Sequence, residues 1–466
     1  MKKVISVATA LLLSSTLLAD ADVQTQLDEL KKEVKKLKKD QKRTKKSLSS
    51  VKKSTGGDNI KFGIDFRNAV DVLEYKNNKT GEKYTNDSLL SSRLYLTMKS
   101  SPMNGLVFLG KLGVYSTWGA ELFESSPAAK DWSATSKASD TIMRIKEAYF
   151  VYKNKVGSQP YALSIGRRPA TNGFLANYRE NEPKPNSPLA HITNMEVNGA
   201  MLKLSWDRFV TGSYSKFVYG RAHTGEGHGV YGESTTDFRY PYANTTGSGK
   251  EDDNVDFFVF LGDGYNDGQY QVMYQWAHIF NTKGKALKGP GAADDVNKAA
   301  SGSAELFSLG LKVDGVGSEI SDFLDNTTLF ASVAYTQYDA KSGHSILGSS
   351  DGGSVNGNSF WVGAIVPDMI TEDGKFGVEY NQGSKNWTPM TWAEDTAMGS
   401  KIAVRGSAYE AYWNFNLFGA KYLPSQVRYT YAQHDYTPNV NCAGWVKPVA
   451  TDITSSDIRF AVSYRY

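Results

Sequence analysis

The chain of 466 residues has one cysteine and, beyond its first twenty residues, no apolar run long enough to cross a bilayer as a helix. A single thiol excludes a disulfide scaffold and leaves too few sulfur ligands for a zinc ribbon or an iron–sulfur site. The missing apolar run excludes a bundle of transmembrane helices. An overall excess of one charge is lacking too: the formal net charge is only +4, so nothing global points to nucleic acid as a partner. What the chain does have is aromatic residues and glycine, with 27 Tyr, 21 Phe, 9 Trp and 43 Gly in a sequence that is only 40% hydrophobic. The apolar side chains must therefore be spread thinly.

The small net charge conceals an asymmetry. Residues 24–53 hold 12 Lys/Arg against 4 Asp/Glu, a local excess of +8, and the rest of the chain is mildly acidic. Ahead of this block, Met1–Ala21 reads as a secretory signal: Lys2 and Lys3, an apolar stretch from Val4 to Leu18, and Ala19-Asp20-Ala21 as the cleavage site. From Val23, the positions Val23, Leu27, Leu30, Val34, Leu37, Gln41, Thr44, Leu48 and Val51 alternate steps of four and three, the seam of a left-handed coiled coil. So narrow a stripe on so charged a helix predicts burial against copies of itself, and a homotrimer is expected. The lysines lie off the seam, where they form either a solvated face or a contact with an anionic polymer such as peptidoglycan. Residues 22–55 are thus expected as a periplasmic α-helical coiled coil, ended by Thr55-Gly56-Gly57.

After Gly57 the apolar period changes to two. Ile60, Phe62, Ile64 and Phe66 alternate with Lys61, Gly63, Asp65 and Arg67, and near the other end Ile458, Phe460, Val462, Tyr464 and Tyr466 alternate with Arg459, Ala461, Ser463 and Arg465. Weak repeated dyads of this kind mark a transmembrane barrel, whose strands need one lipid-facing face. Sixteen strands are predicted, near 60–75, 90–99, 105–115, 141–152, 160–167, 199–206, 209–217, 254–261, 268–280, 304–313, 327–338, 358–366, 375–385, 405–417, 425–434 and 456–466. The connections between them alternate long and short without exception. That is the pattern of an up-and-down barrel with short periplasmic turns and long outer loops, and an even strand count puts both ends of the barrel on the short-turn side. The fold class is therefore all-β: a transmembrane up-and-down antiparallel β-barrel of about 16 strands over 58–466, preceded by the coiled coil.

With these features the chain resembles the trimeric porins of Gram-negative outer membranes. Tyr464 and the terminal aromatic Tyr466, closing an alternating strand, are similar to the sorting signal read by the barrel-assembly machinery. Arg144-Ile145-Lys146-Glu147-Ala148-Tyr149 and Ile165-Gly166-Arg167-Arg168-Pro169-Ala170-Thr171-Asn172-Gly173 resemble, more narrowly, an uncharacterised porin-like outer-membrane family of epsilonproteobacteria. The resemblance implies an outer-membrane location, membrane lipid as surroundings and small hydrophilic solutes as cargo. In such porins the third long loop folds into the lumen. Here that connection is 168–198, stiffened by Pro169, Pro183, Pro185 and Pro188 and charged by Arg168, Arg179, Glu180, Glu182, Lys184, His191 and Glu196, which makes it the expected constriction. The fourth loop, 218–253, carries Gly225, Gly227, Gly229 and Gly232 and reads as a flexible lid or subunit contact.

If the apolar dyad faces lipid, Lys61, Arg67, Arg93, Lys99, Arg144, Lys146, Arg168, Lys312, Arg428 and Arg459 face the lumen, against Asp65, Glu379 and Glu410. A basic wall predicts weak anion preference; in the rival reading the arginines bond across the barrel and shape its wall. Ile145, Glu147 and Tyr149 share a face, which suggests a bulge near Glu147.

Catalytic signals are weak. His344-Ser345 are adjacent, whereas barrel phospholipases resemble one another in a His and a Ser two residues apart. None of the six histidines pair at helical spacing, Gly247-Ser248-Gly249-Lys250 lacks the following Ser/Thr of a phosphate loop, and Asp263–Gly268 reads as a turn. Cys442 is expected to be a passive thiol. The chain is expected to be no enzyme and to bind no metal or cofactor. An outer-membrane channel is the leading reading. A structural tether holding peptidoglycan through the cationic coiled coil is the second, and a surface receptor or adhesin acting through long loops is the third.

Overall fold

A computed structural model describes residues 60–118, 143–182, 184–223, 254–288, 293–317, 320–371, 373–391, 395–437 and 447–466. The expected signal peptide, the coiled coil, the glycine-rich fourth loop and Cys442 lie outside the described residues.

Sixteen antiparallel strands form one closed ring. In chain order they are β1 (Lys61–Asn77), β2 (Lys83–Met103), β3 (Leu106–Thr117), β4 (Arg144–Val156), β5 (Gln159–Ala170), β6 (Thr193–Ser205), β7 (Tyr214–His223) and β8 (Val255–Asn266). They continue with β9 (Tyr270–Ala286), β10 (Asp295–Asp314), β11 (Thr328–Ala340), β12 (Ser354–Pro367), β13 (Lys375–Gly383), β14 (Gly406–Asn416), β15 (Pro424–Tyr436) and β16 (Ala450–Arg465). Each strand pairs with the next, and β16 pairs with β1 from Asp65↔Arg465 to Asn77↔Ile453, so no free edge remains. Each of the sixteen segments predicted from the dyads corresponds to one of these strands.

The ring is inside out relative to a water-soluble protein. Phe62 is 60% exposed and Phe307 47%, together with Leu94, Leu309, Leu311, Val362, Val378, Val427, Ile458 and Phe460 on the outer face, whereas Arg67 is 5% exposed and Arg428 2%. The greasy side chains form an outward belt and the cations point inward, which is what lipid outside demands. Aromatic rings pack across neighbouring strands at both rims: Phe360, Tyr380, Tyr409 and Tyr431 towards the long-loop end, Phe376, Trp413 and Phe415 towards the short-turn end.

Strict alternation of connection lengths does not hold. The first connection is 78–82, the one expected over 281–303 is 287–294, and the following one at the short-turn end, 315–327, is longer than that. The cause is that β2, β9 and β10 extend well beyond their apolar dyads. Residues such as Asn281-Thr282-Lys283-Gly284-Lys285 continue the ladder through shifts of register without an apolar face, and a strand outside the bilayer needs none. The bulge near Glu147 is present: pairing shifts between Lys111↔Glu147 and Leu112↔Ile145, leaving Lys146 as the extra residue, so that Lys146 and Glu147 both reach lumen partners.

A candidate pore and the two loops inside it

Among the described residues, two connections from the long-loop end enter the barrel. The third, 171–192, is fastened by apolar contact. Phe174, Leu175, Leu189, Ala190 and Ile192 are buried in one cluster with the inward-facing Leu261, Met273, Ile279, Leu306 and Trp361 of β8–β12. Glycine at 310 permits this approach, because a Cβ there would lie 2.9 Å from Leu189 Cδ1 and 3.0 Å from Phe174 Cε1. Leu175 takes φ 82 just before the single turn α1 (Ala176–Arg179), a strained conformation for a branched side chain that its complete burial holds in place. Polar links finish the attachment: Gln275 accepts from the Leu189 N–H at 2.7 Å, and Asn414 and Gln426 donate to the carbonyls of Tyr178 and Arg179.

The seventh connection, 384–405, enters from the opposite side and is fastened largely by charge. Arg67 grips the Asp395 carboxylate with two bonds, at 2.8 and 3.2 Å, and Arg93 adds a third at 2.8 Å. Arg459 and Arg428 donate to the Asp395 main-chain carbonyl at 2.5 and 3.2 Å. Burial alone would raise the Asp395 carboxyl, but the four guanidiniums hold it well below the usual carboxylate range. Lys401 pairs with Glu379 at 2.6 Å and with Glu410. Trp387, fully buried, donates to the Ile402 carbonyl. The two loops also touch: Met390-Thr391 runs parallel to Thr193-Asn194, and the Met390 N–H bonds the Ile192 carbonyl at 3.0 Å.

Beside these loops lies a charged cavity of about 290 Å³. Lys111, Lys146, Arg93 and Arg465 line it from the wall, with Asp65 among them; Glu180 and Glu182 face it from the third loop and Asp395 from the seventh. Most of these charges are paired. Lys111 meets Glu147, Lys146 meets Glu196 at 2.6 Å, and Arg93 and Arg465 both reach Asp65 at 3.1 Å. Burial would raise Glu180, yet Arg179 at 2.6 Å holds it low; Glu182 is pushed up by burial in spite of the amide donated by Asn172.

The residues expected in the constriction therefore separate. Glu180 and Glu182 face the cavity, while Lys184 is exposed away from the residues that line it. Arg168 is not in the loop at all; it stands on β5, because the ladder with β6 continues past the apolar dyad to Ala170↔Met195. Arg179, 2% exposed, is an internal anchor between Glu180 and Glu410. His191 is completely buried, its two ring nitrogens 2.8 and 2.9 Å from the hydroxyls of Ser332 and Ser359, with Trp361 and Trp387 edge-on. Burial pushes its pKa down to about 3, so it is a neutral fastener of the loop. Of the wall residues, Arg67, Arg93 and Arg459 face inward and pair with Asp395, Asp65 and Asp71; Arg428 faces inward beside Glu410 and Asp457, at 3.9 and 4.0 Å; Lys312 bonds Asp314 at 2.5 Å; Lys61 and Arg144 are exposed on the inward parity at opposite ends. Tyr464 and Tyr466 face outward at the short-turn end, in the strand that closes the ring. Asp395 and the seventh loop escaped the sequence reading. The available signal was the surplus of inward arginines, which had to find carboxylates somewhere. The side chains of His344 and Ser345 bond local main-chain carbonyls among the contacts described, with no relay between them.

The closed ring and its outward belt define an integral membrane barrel of the outer-membrane type. Within that class the chain belongs to the family described as protein of unknown function (DUF3373), which matches residues 83–463. No curated protein matches the sequence. Among solved structures it is similar to an anion-selective porin from Comamonas acidovorans (11% identity, 88% of this chain and 100% of that one, TM-score 0.49). It is also similar to OprB of Pseudomonas putida (12%, 90% and 97%, 0.48) and to the outer-membrane channel DcaP of Acinetobacter baumannii (13%, 88% and 97%, 0.44). The likeness is one of barrel fold alone.

Proposed function

We propose that this protein is an outer-membrane porin through which small hydrophilic solutes diffuse, with the third long loop as its constriction. The observation that carries the reading is the charged cavity between Glu180 and Glu182 on that loop and Lys111, Lys146 and Arg465 on the wall. Opposed charges across a narrow point impose a transverse field on passing solutes and so discriminate by size and dipole. Selectivity is weak, because the cavity's cations are largely matched by carboxylates. The remaining bias is towards anions: Lys61 and Lys99 stand opposite each other at the short-turn mouth, and Arg144 is exposed near the other. Tyr464 and Tyr466 serve as the assembly signal, and the cationic coiled coil of 22–55 holds three barrels together in the periplasm after the signal peptide is removed.

Reconstitution of the purified protein in a planar bilayer tests this. Discrete conductance steps are expected, with a reversal potential in a salt gradient on the anion side. Absence of steps would remove the pore and leave the barrel as an anchor or a surface receptor.

A further inference from the structure

The inner wall of a water-filled barrel is normally polar, yet β8 and β9 turn Phe257, Val259, Leu261, Ala277 and Ile279 inward. Docking of the third loop accounts for only part of this. A second cavity, of about 390 Å³, remains between the root of that loop and the wall, and Val218, Phe257, Val259, Leu261, Ala277 and Ile279 line it. A void with such walls forgoes the dispersion contacts that a filling group would make, and its size is in the range of small-molecule pockets.

Among the charged lining residues cations outnumber carboxylates: Arg167, Arg168, Arg221 and Lys283 against Glu196. Arg168 lies among the lining residues, its guanidinium 5.5 Å from the Tyr149 ring. Its Nη1 is buried without a hydrogen-bond partner among the described residues, and so is Nε of the neighbouring Arg167. A buried N–H left unpaired is costly, so its presence asks for an acceptor. Glu196, the carboxylate among the lining residues, does not answer, because Lys146 holds it at 2.6 Å. Apolar walls that would accept a hydrocarbon or an aromatic ring thus converge on a guanidinium suited to a carboxylate.

We propose that this cavity binds an amphipathic monocarboxylate, with its apolar body against Val259, Leu261 and Ala277 and its carboxylate received by Arg168. The site goes beyond the pore reading and does not depend on it. Binding is read without any current, so a silent bilayer would leave this inference standing and an unoccupied cavity would leave the pore standing.

The test is isothermal titration calorimetry of the full chain in a non-ionic detergent with three probes: 2-naphthoate, its uncharged counterpart 2-naphthalenemethanol, and acetate. Saturable binding of naphthoate is expected, at least tenfold tighter than that of the alcohol, with none for acetate. Arg168→Gln should bring naphthoate down to the level of the alcohol, and Ala277→Phe should abolish both by filling the space. Retention of the barrel is checked by its heat-dependent shift on electrophoresis. If Ala277→Phe fails that check, Val218→Phe replaces it. The proposal is overturned if naphthoate does not saturate, if acid and alcohol bind alike, or if Arg168→Gln leaves naphthoate binding unchanged.

Discussion

On the β8–β12 side of the lumen a loop is held by Phe174, Leu175, Leu189 and Ile192 pressed into an apolar wall, whereas on the side formed by β1, β2, β15 and β16 a loop is held by four arginines on one aspartate. Both loops narrow the same barrel, but the forces differ in how they answer to the solution. Apolar contact is indifferent to ionic strength and has no sign. In the aspartate cluster the one carboxylate that the loop contributes, Asp395, is gripped by Arg67 and Arg93, guanidiniums that cannot give up their protons. Removing one small side chain therefore takes away the carboxylate contacts of the second attachment at once, leaving the main-chain bonds of Arg428 and Arg459 and the Lys401 pairs, while the first is lost piece by piece.

The largest effect is expected of Asp395→Ala. Arg67 would lose its carboxylate partner and Arg93 one of its two, at about 3–5 kcal/mol as for other buried pairs deprived of one member. The segment 384–405 should leave the lumen, and single-channel conductance should rise several-fold. Unchanged conductance would show that Trp387 and the Lys401 pairs hold the segment without the Asp395 carboxylate. Phe174→Ala attacks the other side, at about 3–5 kcal/mol of docking energy. It should raise current noise more than mean conductance. The effect should be the same in dilute and in molar salt, whereas the effect of Asp395→Ala should shrink in molar salt.

Acid distinguishes the two attachments in a third way. His191 has an ordinary value of 6.5 and is lowered to about 3 by burial, so an undocked loop takes up its proton first. Docking stability is full above pH 6.5 and declines as the pH falls towards 3, while Asp395, held low, stays ionised over that window. A thermal midpoint that falls with pH in the native protein and falls less in His191→Gln is expected; identical slopes would reassign the acid response to other groups. The smallest effect concerns the cavity. Glu180→Gln with Glu182→Gln should shift the reversal potential modestly towards anions, and Lys146→Gln towards cations; a shift of the opposite sign would place the permeation path elsewhere.

The barrel was legible in the sequence because lipid imposes a requirement on every second residue, and that requirement is local. Ile458, Phe460 and Tyr464 announce their strand without reference to any other part of the chain. Strand ends were less legible wherever the ladder continued past the bilayer, as in β2, β9 and β10, since water imposes no such pattern. The lumen was hardly legible. Whether Arg67 lines a pore or grips a loop depends on Asp395, 328 positions away, and no periodicity links the two. Likewise, the inward Val259 and Leu261 made β8 a run of apolar residues, a pattern that says nothing of what lies opposite them.

The seam between β16 and β1 joins residues up to 400 positions apart and is cross-linked inside by Arg465 to Asp65 and Arg459 to Asp71. Such a join is the slowest kind to make, because the whole intervening chain must be ordered before its ends can meet. Until then two bare edges are open to any passing strand. Once shut, the ring can be undone only by parting a full run of rungs together, so its durability resembles that of a fastened clasp: set by the height of the barrier to opening rather than by the depth of the well.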